Sequence, residues 1–324
     1  MKRLFVNIFF LSVLLIILAV LDLLVGTVNI LENDEDVYTV LTELRIPKTL
    51  TAIAVGSTLS LCGLVLQILF RNPLAGPYVL GISSAASLFV AIGMMGMGIS
   101  GVEVLRRLGM NMFAVTGALT GILIILLVLR ITSQMTIILL VGLMLSQLYG
   151  AVQSVLSYMS NNQALKIYTL WTMGSIQNTD MVQSLLMICM SVVGLFWILR
   201  HTRGLIIYLT GDDNAVVMGI DVKNMKRYMI VLTALMVGVI TAYCGPIAFV
   251  GMSIPILVRI LNKNADVYCW IMHTYLYGAV FVLATDILNQ IVFSGSVPLN
   301  ILISLWGVPL MIWILVKQMK WVMV

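Results

Sequence analysis

Stretch after stretch of about twenty residues in this chain is almost pure hydrocarbon, and such stretches survive in a bilayer only if every backbone N–H and C=O finds a partner within the fold. Helices and closed barrels meet that condition. The Leu, Ile, Val and Met runs lack the strict alternation of a lipid-facing barrel strand, so the expected class is all-α. At 61% hydrophobic and 10% charged residues, the chain lies far from soluble domains, in which about a quarter of residues are charged. It reads as a polytopic membrane protein. Its 324 residues leave room for about ten helical spans.

The spans expected are residues 4–30, 47–70, 74–98, 111–129, 136–158, 181–199, 228–243, 245–261, 270–291 and 297–316. Residues 1–30 have a basic start but no small-residue cleavage pattern, which favours a retained first span over a signal peptide. With the N-terminus in the cytoplasm, thirteen Lys and Arg fall inside and five, Arg45, Lys48, Arg106, Arg107 and Lys166, fall outside. That bias supports cytoplasmic N- and C-termini. The acidic run Glu32, Asp34, Glu35 and Asp36, with Glu43, then falls outside.

One stretch breaks the pattern. Residues 200–227, RHTRGLIIYLTGDDNAVVMGIDVKNMKR, hold eight of the chain's 18 basic and 13 acidic residues and must lie outside the lipid. Gly211, Asp212, Asp213, Asn214 and Ala215, followed by Gly219, predict a short helix with an acidic cap, a glycine break and a second short helix ending in Lys226 and Arg227. Acids at the start and bases at the end would suit the helix dipole. A solvated loop and a partner-docking element both fit this composition.

Two other stretches interrupt the hydrocarbon with Pro and Gly, residues 71–81 (RNPLAGPYVLG) and 245–255 (GPIAFVGMSIP). Such breaks occur at membrane depth where backbone is buried in protein or lines a cavity, and their recurrence in both halves suggests inverted repeats. Cys62, Cys189, Cys244 and Cys269 are isolated and read as buried thiols. His201 and His273 are unpaired, and no spacing suggests a metal site, a bound cofactor, a catalytic constellation or a nucleic-acid surface. The chain has no Gly-x-x-x-x-Gly-Lys loop, so the energy for any transport comes from a partner or an ion gradient. Asp286 lies within a span and Asp22 near the end of another, and pairing of Asp286 with a neighbouring helix is the plainer expectation. Gly142, Ser146, Gly150 and Ser154 recur every four positions on one helical face, where they could line a route or let helices pack closely.

Further residues carry a family likeness. Residues 45–50 (RIPKTL), Gly56, Gly63 and Gln67, residues 71–77 (RNPLAGP) and 80–84 (LGISS), residues 171–175 (WTMGS), Gly211, Asp212, Asp213 and Gly219, residues 245–251 (GPIAFVG), Pro255 with Arg259, Asp286, Pro298, and Gly307 with Pro309 follow in a specific order. Over residues 41–316 the chain resembles the FecCD-like permeases of bacterial ATP-binding-cassette importers for iron-siderophores, haem and cobalamin.

That resemblance implies a single transmembrane permease domain over residues 1–324, with a coupling segment at residues 200–227, in the bacterial inner membrane. It implies a second copy of the chain, two cytoplasmic ATP-binding subunits, and a periplasmic or lipid-anchored solute-binding protein; membrane lipid is the remaining partner. Gly211, Asp212, Asp213, Asn214, Ala215 and Gly219 would belong to the coupling helices. Arg45 and Lys48 would receive acidic residues of the binding protein, with headgroup anchoring as the plain alternative. Gln134, Met135 and Thr136 resemble the inner narrowing of the pathway, and Gly142, Ser146, Gly150 and Ser154 would line it between two copies. The chain departs from the pattern at Ile256, where His is common, at Ser296 and Asn300 around Pro298, at Ala85, at Val216 in place of Arg, and at Gln290. A self-contained ion-driven carrier is the rival reading.

Overall fold

The computed structural model describes residues 2–26, 37–96, 103–262 and 265–322. Among the described residues there is no strand, and the helices are α1 (Lys2–Leu24), α2 (Ile46–Phe70), α3 (Ile82–Ala91), α4 (Glu103–Ile131), α5 (Met135–Met159), α6 (Asn162–Thr172), α7 (Met181–Arg200), α8 (Thr202–Leu209), α9 (Asp212–Val217), α10 (Val222–Cys244), α11 (Val250–Leu261), α12 (Val267–Phe293) and α13 (Leu299–Val322). Among the described residues six helical stretches are long and apolar enough to cross a membrane, and four shorter apolar helices bring the set to the ten segments expected. A wide π turn over Val40–Arg45 leads into α2, and a second over Ile92–Gly96 extends α3. The acidic run at residues 32–36 and Lys263 lie outside the described residues.

Within the span expected to form one domain, the chain falls into two compact units. The first comprises Met1–Leu64, Ile176–Ser191 and Ala248–Val324, the second Val65–Ser175 and Val192–Ile247.

In the first unit α1 packs along α12, and α11 packs on α12 and α13. Small residues set how closely these helices approach. A methyl group at Gly56 or at Gly278 would overlap the other's carbonyl oxygen, and one at Gly63 would overlap the backbone of Gly251. Hydroxyls then tie the interior: Ser57 Oγ lies 2.9 Å from Ser191 Oγ, and Thr51 Oγ1 lies 2.8 Å from Thr179 Oγ1.

In the second unit α4 packs against both α3 and α10, and α5 against α3 and the 3-10 turn Pro77–Leu80. The Pro/Gly interruption at residues 71–81 is an ordered re-entry. Arg71 adopts a left-handed conformation (φ 48), the Asn72 amide donates back to the Gln67 carbonyl at 3.2 Å, and Asn72 Oδ1 accepts from the Leu74 amide at 2.9 Å. The backbone groups that the missing helix would have satisfied are thus met locally. Gly81 (φ 73) starts α3, where a side chain would be strained.

Candidate functional site

The charged stretch at residues 200–227 folds differently from the sequence expectation in one respect. The pair of short helices is α8 and α9, whereas Lys226 and Arg227 belong to the first turns of α10, which continues for 23 residues to Cys244. The apolar run beyond Arg227 propagates that helix, so no second short helix ends there. The acidic cap also moves: Gly211 precedes α9 without a side-chain cap, and Asp221 caps α10 by accepting from the Asn224 amide at 3.1 Å. Gly219 (φ 81) closes α9, with the Ile220 amide donating to the Ala215 carbonyl at 2.9 Å.

Three basic residues in the first turns of α10, Lys223, Lys226 and Arg227, oppose its dipole, and Lys226 is nearly buried. Its compensation comes from Asp212, whose Oδ2 lies 2.6 Å from Lys226 Nζ. The other oxygen, Oδ1, accepts from Arg71 Nη2, also at 2.6 Å. Both cations lie against the ring of Tyr208, the Arg71 guanidinium 4.5 Å and Lys226 Nζ 5.0 Å from its centroid. Tyr208 is itself buried; its hydroxyl donates to the Leu69 carbonyl at 2.9 Å, and its own carbonyl accepts from Arg71 Nη2 at 2.9 Å. Burial pushes the Asp212 carboxyl up, but the hydrogen bonds and charges of Lys226 and Arg71 outweigh it and hold the group below the usual carboxylate range.

A cavity of about 850 Å³ opens beside this junction. Its lining includes Arg71, Tyr208, Asp212, Asp213, Lys223 and Lys226 together with Ser133, Gln134, Met135 and Thr136 at the start of α5. The structure therefore brings together two sets that the sequence places about eighty residues apart. Of the other coupling candidates, Ala215 is buried, and Asn214 donates to the Thr210 carbonyl at 2.8 Å. At the far end of α9, Val216, Val217 and Met218 are 62%, 88% and 62% exposed, an apolar tip on the charged stretch.

The stripe on α5 divides. Gly142 is buried, and a methyl there would overlap the Val79 carbonyl oxygen; the Ser146 hydroxyl lies beside Gly81. Gly150 has open space around it and Ser154 is exposed. Only 22% of the α5 span is buried, so most of its surface faces outward.

Arg45 and Lys48 both bond within the chain. Arg45 Nη1 donates to the Leu23 and Leu24 carbonyls at 2.6 and 3.2 Å. Lys48 Nζ lies 2.8 Å from Asp286 Oδ2 and 3.6 Å from Asp22 Oδ1, and Gln290 Nε2 donates to both carboxylates at 2.8 Å. Asp286 pairs with a neighbouring helix, as expected. The same network occupies the two acids that an ion-driven carrier would need.

The sequence profile of the FecCD transport family matches residues 4–317. The chain belongs to that family. Among curated relatives of this FecCD-family chain is the hemin transport system permease protein HmuU of Yersinia pestis, 31% identical over a 327-position alignment that covers 95% of each chain. Another is the vitamin B12 import system permease protein BtuC of Salmonella paratyphi A, 31% identical over 279 residues, 86% of this chain and 84% of that one. A solved inward-facing metal-chelate type ABC transporter superposes with a TM-score of 0.85 at 27% identity, covering 96% of this chain and 99% of that one. PsaBC of Streptococcus pneumoniae shares the fold at a TM-score of 0.55 and 18% identity, over 83% of this chain and 90% of that one. The FecCD-family chain is a membrane transport permease.

Arg71, Tyr208 and Lys226 were not singled out as site residues by sequence reasoning. Arg71 and Lys226 are visible only as charges at helix ends, and nothing local pairs Arg71 with residues 137 and 141 positions away. Tyr208 offers one signal, an aromatic within a charged stretch, four residues before Asp212.

Proposed function

We propose that this chain is the membrane-spanning permease subunit of a bacterial ATP-binding-cassette importer for a bulky metal-chelate cargo of the haem, cobalamin or siderophore class. It works as a homodimer on two cytoplasmic ATP-binding subunits and receives cargo from a solute-binding protein outside, its two compact units serving one permease domain. The relatives' names support the cargo class, and the excess of Lys and Arg on one side supports cytoplasmic termini.

The observation that carries the proposal is the shared cavity. An ATPase that grips the apolar tip of α9 would move Asp212 and Asp213, while Gln134, Met135 and Thr136 line the same cavity and begin the helix that carries the candidate route. In this reading Gly150 and Ser154 face the route between copies, whereas Gly142 and Ser146 position α5 within one copy. Arg45 and Lys48 brace the outer ends of α1 and α12 instead of meeting the binding protein directly.

The test is purification from native membranes followed by reconstitution. A nucleotide-binding subunit should copurify, and proteoliposomes supplied with the binding protein should take up haem, cobalamin or a ferric siderophore only when ATP is present on the ATPase side. Uptake that continues after every partner ATPase is removed would overturn the proposal in favour of an ion-driven carrier.

A further inference from the structure

Helix α9 is joined to the rest of the second unit through two glycines in conformations that favour glycine, Gly211 (φ 122) and Gly219 (φ 81). No heavy atom lies within 4 Å of where a side chain at Gly219 would begin, and at Gly211 only the Asn214 amide does, at 3.6 Å. Such joints bend easily. A push delivered to the exposed tip of α9 would be absorbed at them unless something stiffer holds the helix. Its apolar anchor is slight, since Ala215 is buried but contributes a single methyl.

The stiff element is the charge junction. Asp212 holds Arg71 with one oxygen and Lys226 with the other, and both cations rest against the buried ring of Tyr208. The tyrosine hydroxyl closes the set by bonding the Leu69 carbonyl near the end of α2. Four elements, the end of α2, α8, α9 and the start of α10, therefore meet at one side chain. Charge-assisted bonds of this kind are short and directional, and two of them to one carboxylate fix its position. The same cavity is lined by Gln134, Met135 and Thr136.

We propose that Arg71, Tyr208 and Lys226 form, with Asp212, a clutch that converts displacement of α9 into displacement of the cavity wall, and that it is a condition for coupling rather than for ATPase docking. The inference rests on the permease reading above. Docking uses the apolar tip, and transmission uses the charges. Arg71, Tyr208 and Lys226 are positioning residues on this account, acting on the pathway through α2 and α10.

Asp212→Asn keeps the shape of the side chain and removes the charge that both cations require. In proteoliposomes containing the permease, its ATPase and the binding protein, this variant should retain the copurifying ATPase and ATP hydrolysis, while uptake per ATP hydrolysed falls about tenfold or more, as expected when charge-assisted hydrogen bonds are lost. Asp212→Glu should recover part of the ratio, which a requirement for bulk alone would not explain. A cysteine at Gln134, in a background lacking the four native cysteines, should react with a water-soluble thiol reagent in a nucleotide-dependent way in the parent and lose that dependence with Asp212→Asn. Tyr208→Phe, which removes only the bond to Leu69, covers the case in which Asp212→Asn does not fold, and should lower uptake per ATP with the ATPase still bound.

Uptake per ATP within twofold of the parent in both Asp212→Asn and Tyr208→Phe, with labelling at position 134 still responding to nucleotide, sinks the clutch. So does loss of the ATPase from Asp212→Asn, which would make the junction a docking surface. If no ATPase copurifies with the parent protein, the permease reading fails instead, and the two failures are told apart.

Discussion

Replacing Lys48 with Met discriminates sharply between the two roles that can be assigned to Arg45 and Lys48. Lys48 stands between Asp286 and Asp22 at 2.8 and 3.6 Å, and the two carboxylate side chains are 1% and 0% exposed. Met fills similar space but leaves two buried carboxylates facing each other with Gln290 as their shared donor. Removing one partner from a buried ionic network costs on the order of 3–5 kcal/mol, because the charge left behind is not solvated. The thermal-denaturation midpoint of the purified protein in detergent should therefore fall by several degrees. Adding Asp286→Leu, which removes one orphaned carboxylate, should restore a large part of the loss, and the non-additivity in that double-mutant cycle measures the pair directly. High salt should change little, since the network is shielded from solvent. A docking charge would behave otherwise, leaving the midpoint unchanged and slowing binding-protein association in a salt-dependent way. An unchanged midpoint with weakened, salt-sensitive association would refute the argument from burial and return Lys48 to the docking surface.

Three other outcomes are expected. Gly219→Val should cost more than Gly219→Asn, because the left-handed conformation at φ 81 is penalised by about 1–2 kcal/mol for an ordinary side chain and more for a branched one; nothing crowds the site, so uptake per ATP should fall while expression does not. With the Asp212 carboxyl held below its ordinary value of 3.8, its ion pairs are complete above that value and are lost as pH falls through the lowered one. Coupling measured across the neutral range should show no inflection from this group, and one near pH 6 to 7 would contradict its assignment; loss belongs below about pH 4. On α5, a cysteine at Ser154 should react with a water-soluble reagent or cross-link between copies, and one at Ser146 should react more slowly, as shown by labelling rates in a cysteine-free background; equal rates would contradict the division of the stripe.

Much of the architecture was legible because lipid imposes it. Each crossing must satisfy its own backbone and be apolar for about twenty residues, so helix class, number and approximate ends follow from hydrocarbon runs alone. Helix ends on the charged stretch were less legible. The register at residues 221–227 reads equally as a short helix ending in bases or as the start of a long one, and the decision belongs to the apolar residues after Arg227. The short helix α9 was visible through Asp212, Asp213 and Gly219, whose residue types report on local geometry. Its partners Arg71 and Tyr208 were not, since a side chain's distant neighbour leaves no local trace.

Arg45 and Lys48 show the same limit from the other direction. Position near the outer end of a span, together with positive charge, is common to a docking contact and to an internal strut. What separates them is whether opposite charge is supplied from within the chain, and here Asp22 and Asp286 supply it from helices far away in sequence. The comparison between the two ends is instructive. Lys48 is hemmed in by buried acids and Arg45 by carbonyls, so neither can reorient without leaving a buried charge or acceptor unmatched. In the other junction Arg71 and Asp212 side chains are 44% and 43% accessible and border an open cavity, while Lys226, at 8%, is as enclosed as Lys48. Water can compete for the Arg71–Asp212 bond, whereas the Lys226–Asp212 bond is enclosed on the lysine side and holds α9 to the start of α10. Lys48 and Lys226 are thus both matched from within the chain, and only at Asp212 does the matching acid also face solvent.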